Sequence, residues 1–253
     1  MSDSSQHSEY EFEPFEHVFL RRREQIDNLI GLTSSALRHL NGVARLSEVL
    51  RRPAEHVELA REVEGAARSE LESGMPLIHG SAAVLMWGAL EASIRDFLVR
   101  WLTRYPSARQ SPDLRSVKVR VVEYEGLSTE DRMRYLVGIL ERELGAPLKP
   151  GIARFECLLK PFDIHAGIDR EDRRTLNELA AVRNVIVHRA GVADERLLEL
   201  CPWLGLHVGQ EVNVGRDTFV QYRRATSEFA VSVIQAARAV SARYGDRAMQ
   251  SET

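Results

Sequence analysis

The sequence predicts an all-α protein, a helical bundle with at most two short strands. Two observations carry that reading. Apolar residues recur at helical spacings over long stretches, most plainly at Leu90, Ile94, Phe97, Leu98 and Trp101. Proline and glycine punctuate the intervals between such stretches, at Pro53, Gly74, Pro76, Pro106, Gly145 and Gly191. Alternation, the mark of a strand, is confined to Val117, Val119 and Val121 and to Val208, Val212 and Val214.

Taken in order, residues 1–16 are polar and acidic and predict a flexible tail. Residues 17–52 predict an N-terminal helical extension, with Phe19, Ile26, Leu29, Ile30, Leu37 and Leu40 at helical spacings. Gly31 and Asn41-Gly42 are the expected interruptions. Pro53 suits the first turn of a helix reaching about Leu71. A long helix follows from Leu77 to about Arg104, ended by Pro106. The valines of 117–121 predict a short strand or an extended linker. Ser128 predicts an N-cap, with Glu130 and Asp131 favouring the positive end of a helix running to about Leu144. A short amphipathic piece holds Phe155, Leu158 and Leu159 and ends at Pro161. Asp169 caps a helix through Leu176, Leu179 and Val182 to His188, and Gly191 stands where a left-handed cap belongs. Gly205–Val214 predicts a minor strand or hairpin, and Thr218–Tyr244 a last helix. The main domain is expected over 53–246, with a C-terminal tail over 247–253. Trp87, Trp101 and Trp203 sit among apolar residues and read as core.

Bulk composition excludes several functions. The 253 residues carry a formal charge of −3, so no global basic field draws the chain to a polyanion. Any such binding must be local and only shallowly salt-dependent. Of the 34 basic residues only Lys118, Lys149 and Lys160 are lysine; the remaining 31 are arginine. Cys157 and Cys201 are too few for a disulfide scaffold and lack zinc-ligand spacing. The apolar run Ile78–Leu90 is broken by His79, Gly80 and Ser81, short of the ~20 residues a bilayer span needs. The N-terminus lacks the layout of a secretory signal. A cytoplasmic protein without membrane association, metal or cofactor is the expectation. No phosphate-binding loop, dinucleotide fingerprint, nucleophile elbow or zinc-protease motif occurs.

One constellation carries chemistry: Arg183-Asn184-Val185-Ile186-Val187-His188, at the end of a capped helix. The spacing alone is common in so arginine-rich a chain; a second Arg-to-His match runs from Arg51 to His56, with Pro53 inside it. The asparagine after Arg183, the helix end and the glycine stop distinguish the first. At ~100° per residue Arg183 and His188 point ~140° apart, whereas Asn184 and His188 share a face. One helix therefore does not bring the arginine and the histidine to one phosphate. Two copies meeting across a twofold axis can do so. Arg183 offers a permanent forked donor for phosphate oxygens. His188, in the last turn, feels the negative helix end, which favours its protonated form and suits a proton shuttle. Arg189 is a candidate secondary phosphate contact.

At these residues the chain resembles the HEPN superfamily, whose signature is an arginine, a polar residue that is often asparagine, and a histidine late in a helix. The segment Ala89–Phe97 is similar to the family's earlier core helix, which often carries an acid where Glu91 stands. Asn177–Gly191, with Ala193-Asp194 and Cys201-Pro202-Trp203, is similar to bacterial HEPN proteins of the RiboL-PSP kind. The resemblance spans about residues 54–244. It implies a HEPN-like bundle, a homodimer, and metal-independent RNA cleavage by paired Arg183 and His188. It implies that Glu91 orients Arg183 or packs beside it; Asn184, from its place on the helix, can hydrogen-bond the substrate or fix the imidazole. It also implies a toxin, abortive-infection or stress role, and an antitoxin or nucleotidyltransferase-like partner. A surface pair between Glu91 and Arg95 is the competing reading of that acid. A non-catalytic module of the same fold, binding nucleotide, RNA or protein, is the competing reading of the whole.

Overall fold

The computed structural model describes residues 10–250, with side chains from Glu11 to Tyr244. A 3-10 turn (Tyr10–Phe12) and a π-helical turn (Pro14–Leu20) lead into α1 (Arg21–His39), α2 (Val43–Val49) and α3 (Ala54–Glu72). Then come α4 (Pro76–Arg104), α5 (Pro112–Arg115), α6 (Val121–Glu125) and α7 (Thr129–Glu143). The chain closes with α8 (Ala153–Leu159), α9 (Arg170–His188), α10 (Glu195–Leu200) and α11 (Arg216–Gln250). The all-α expectation holds: among the described residues there is no strand, only an isolated antiparallel bridge between Val192 and Glu211.

α4 is the axis of the bundle. It packs against the π-helical turn, α7, α11, α1 and α9. Its length and apolarity would suffice to cross a membrane. Much of its apolar surface is spent on this packing: Leu90, Ile94, Phe97, Leu98 and Trp101 are fully buried, while Leu77 and Leu85 stay exposed. A helix that is apolar on most of its circumference is a core helix when neighbours surround it.

Capping follows the sequence closely. Ser128 Oγ accepts from the Asp131 amide (3.2 Å) and Asp169 Oδ1 from the Asp172 amide (2.7 Å). Gly42, in a left-handed conformation at φ 92°, separates α1 from α2, whereas Gly31 leaves α1 unbroken. Gly191 is left-handed as expected, and Ala190 before it is left-handed too.

Three expectations need correction. Residues 10–16 are not a tail: Phe12 and Phe15 are buried against Phe97, and Glu11 accepts a hydrogen bond from Tyr105 (2.8 Å). Aromatic burial there outweighs the acidic character of the segment. The rest of that expected tail, residues 1–9, lies outside the described residues. The 17–52 extension is helical, and part of it packs on the bundle. α1 packs on α4, and Asp27 is paired with Arg223 of α11 (2.9 Å). The C-terminal tail fails over 247–250, where α11 continues through helix-forming Ala248, Met249 and Gln250; residues 251–253 lie outside the described part. Finally, the 205–214 segment is not a strand or hairpin, and at 117–120 the linker reading holds over the strand. Residues 117–120 are irregular before α6. The 205–214 segment is held as a loop, with the Ala193 amide donating to Gln210 O and that of Val212 to Gly191 O, both at 2.8 Å.

Candidate functional site

The site is built on the last two turns of α9. Leu176, Leu179, Ala180, Val182 and Val185 are buried, and α9 packs on both α4 and α11. That burial fixes the rotation of the helix. Asn184, Val187 and His188 are left exposed, and Arg183 is half-buried at the edge of the packed face. The helix stops where the Arg189 and Gly191 amides both donate to Val185 O, at 2.8 and 3.2 Å.

Arg183 and His188 face two adjoining clefts. The first, about 290 Å³, holds Arg183 together with Lys149, Arg154, Asn177, Arg196 and Trp203. The second, about 430 Å³, holds His188 together with Arg189, Asp194 and Arg196. Asn184, Ala181, Arg196, Leu200 and Pro147 border both, so Asn184 marks the divide. The divergent directions expected from the helical repeat are thus reproduced as a separation into two neighbouring recesses. Arg183 Nη1 donates to Asn184 Oδ1 at 3.1 Å, so Asn184 is engaged with the arginine and not the imidazole. Arg189 lies beside Asp194, Nε to Oδ2 at 3.5 Å, and is two-thirds exposed. Asp194 also caps α10 by accepting from the Leu197 amide (2.9 Å).

Glu91 makes no hydrogen bond or ion pair with Arg183. It accepts from Arg154 Nη2 at 2.8 Å and lies 3.5 Å from Arg95 Nη2. Arg95 in turn donates to Glu141 at 2.8 Å, and Arg154 approaches the same Glu141 oxygen at 3.4 Å. Two carboxylates are thereby shared by two guanidiniums across α4, α7 and α8. The i,i+4 pair with Arg95 exists, but the shorter bond goes to Arg154, 63 positions away. Carboxylates and desolvation act oppositely on Arg95: burial alone would lower its pKa, and the bond and charges of Glu141 and Glu91 raise it on balance.

Arg154 is the residue sequence reasoning missed. Thirty other arginines conceal it, and nothing in the local pattern marks it. Two features of its cleft were legible in part: Lys149 is one of three lysines, and Gly145–Gly151 reads as a loop. Trp203 was misplaced as core. It is partly exposed at the cleft wall, its Nε1–H donated to Glu178 and its ring covered on one face by Arg174 at 4.2 Å. Glu178 also accepts from Tyr222 OH at 2.8 Å, fixing this wall to α11.

The Nε–H groups of Arg154 and Arg183 are both shielded from solvent and have no hydrogen-bond partner. Each such donor left unpaired costs about 1–3 kcal/mol. Among the described residues no carboxylate pairs with Arg183, and no three His, Cys, Asp or Glu side chains converge as a metal-binding group would require. Comparison with family models, with curated proteins and with solved structures returns no match.

Proposed function

We propose that the protein is a metal-independent RNA endonuclease of HEPN type that works as a homodimer. One observation carries the reading: Arg183, Asn184 and His188 stand on the exposed end of one helix and open onto adjoining clefts whose other charged walls are mainly cationic. Arg183, which has no carboxylate partner among the described residues, suits a phosphodiester, whose charge it offsets.

In this reading the substrate's own 2′-OH attacks the adjacent phosphorus. The bond from phosphorus to the 5′-oxygen breaks, leaving a 2′,3′-cyclic phosphate and a 5′-hydroxyl. The nucleophile belongs to the RNA, so the step needs no metal and DNA is not a substrate. Arg183 offsets charge that grows on the phosphorane oxygens. His188 takes the 2′ proton or delivers one to the leaving oxygen. Asn184 holds Arg183 in orientation through its side-chain oxygen.

Arg183 and His188 border different recesses, so one active centre is assembled from Arg183 of one copy and His188 of the other. Leu85 on α4 and Val187 on α9 are 44% and 47% exposed on packed neighbouring helices, which offers apolar surface for that contact. The corresponding setting is a cytoplasmic toxin, abortive-infection or stress enzyme, held in check by an antitoxin or nucleotidyltransferase-like partner.

The test is cleavage of RNA in excess chelator by wild type, Arg183→Ala and His188→Ala. Loss of cutting in both variants supports the reading. Intact RNA with pure wild type, or equal cutting by all three, refutes it. RNA bound but uncut by wild type would leave the non-catalytic binding module as the reading that stands.

A further inference from the structure

The cleft beside Arg183 has features that the cleavage step does not use. Four cationic side chains, Lys149, Arg154, Arg183 and Arg196, line it, and no acidic residue does. Lys149 and Arg196 are exposed at its edge. Arg154 is inside, its side chain 17% exposed, and is held from behind by Glu91 and Glu141. Those acids bond Nη2 and leave Nε–H of Arg154 shielded and unpaired, as is Nε–H of Arg183. Four cationic side chains converging on one recess with no lining carboxylate are what an anion's oxygens would accept. The opposite wall is Trp203, immobilised by Glu178 and Arg174. A volume of about 290 Å³ falls at the lower limit of small-molecule sites, which fits one nucleotide unit and not a longer stretch.

We propose that this cleft is a phosphate subsite for a single nucleotide of an RNA strand, with Arg154, Lys149 and Arg196 holding the phosphate beside Arg183, which serves the scissile phosphodiester. The proposal rests on the nuclease reading and deepens it by assigning a binding role to residues outside the Arg-Asn-x-x-x-His element. Glu91 and Glu141 are positioning residues: both bond Nη2 of Arg154 and hold its guanidinium at the inner wall of the cleft. Binding here would register the strand so that a neighbouring phosphodiester reaches the cleavage centre.

The experiment uses the full-length protein and a short 2′-O-methyl oligoribonucleotide, which is bound without being cut. The binding variant is Lys149→Ala/Arg196→Ala, whose side chains are exposed and whose fold is checked by circular dichroism. The control is Arg45→Ala/Arg52→Ala, which removes the same charge from exposed positions in the α2 region. The expected result is a loss of about tenfold or more in affinity for the first variant and less than a twofold change for the control. Equal losses in both, or none in either, overturn the proposal. Adenosine 5′-monophosphate should displace the strand; a nucleotide that binds while the strand does not would overturn the RNA assignment. The two readings part cleanly. If wild type binds at the cleft but does not cut unmodified RNA, the subsite stands and the nuclease falls. If RNA is cut and the cleft variant binds like wild type, the subsite falls alone.

Discussion

Gly151 sits at the edge of the Arg183 cleft with φ +52°, and a methyl group there has nowhere to go. A Cβ on Gly151 would lie 1.9 Å from Asn177 Oδ1, 2.7 Å from its Cγ and 3.0 Å from its Cα. Turning the Asn177 side chain away relieves the first two contacts but not the third, which is backbone. It also breaks the bond from the Ile152 amide to Asn177 Oδ1, 3.3 Å long. For Gly151→Ala, left-handed strain costs about 1 kcal/mol, the lost hydrogen bond about 1 and the forced shift of α9 against the loop about 1–3. A stiffer unfolded chain offsets about 0.4–1 kcal/mol of that. The net is about 2–4.6 kcal/mol, which for a chain of this size lowers Tm by about 4–18 °C. Thermal and urea melts of wild type, Gly151→Ala, Asn177→Ala and the double variant measure it. Because the two residues collide directly, the double variant should lose at least about 1 kcal/mol less than the sum of the singles. A Gly151→Ala protein that melts within about 2 °C of wild type, or singles that add without coupling, would refute the reasoning.

Mixing Arg183→Ala with His188→Ala should restore cleavage, because a mixed dimer keeps one centre with both groups intact; no restoration would place both groups in the same copy. Light scattering at micromolar concentration should give twice 28.6 kDa for wild type, and a monomer with or without RNA would refute a shared centre. Burial, reinforced by Glu178, pushes the Cys201 thiol up to about 12, and burial with the bond to Glu11 pushes the Tyr105 phenol to about 12. Both groups keep their protons in the folded state while the unfolded chain releases them. Their contribution is therefore complete below about pH 8.5 and is lost as pH rises toward 12, so Cys201→Ala should flatten the alkaline fall in urea stability. Identical alkaline slopes for variant and wild type would contradict this.

The helices were legible because local chemistry and periodicity agree. Ser128 and Asp169 cap where a polar side chain meets an apolar stripe, and Leu90 to Trp101 bury as their spacing requires. The placement of Arg183, Asn184 and His188 at an exposed helix end was legible for the same reason. Non-local pairing was not. Glu91 reads as a partner for Arg95 four residues on, yet its shorter bond is to Arg154, brought in by α8. Phe12 and Phe15 were hidden by the acidic residues around them, whose own carboxylates find Tyr105 and Arg100. The valines at 208, 212 and 214 alternate because a loop wraps onto Ala193 and Gly191, not because a partner strand is present.

The central claim is that the RNA's own 2′-OH is the nucleophile in a step served by Arg183 and His188. The most direct measurement is the chemistry of the product ends after cleavage in chelator, on RNA and on the same strand with one 2′-deoxy nucleotide at the cut. The expected products are 2′,3′-cyclic phosphate and 5′-hydroxyl ends, with no cutting at the deoxy position. Ends bearing 3′-hydroxyl and 5′-phosphate, or undiminished cutting at the deoxy position, would contradict it.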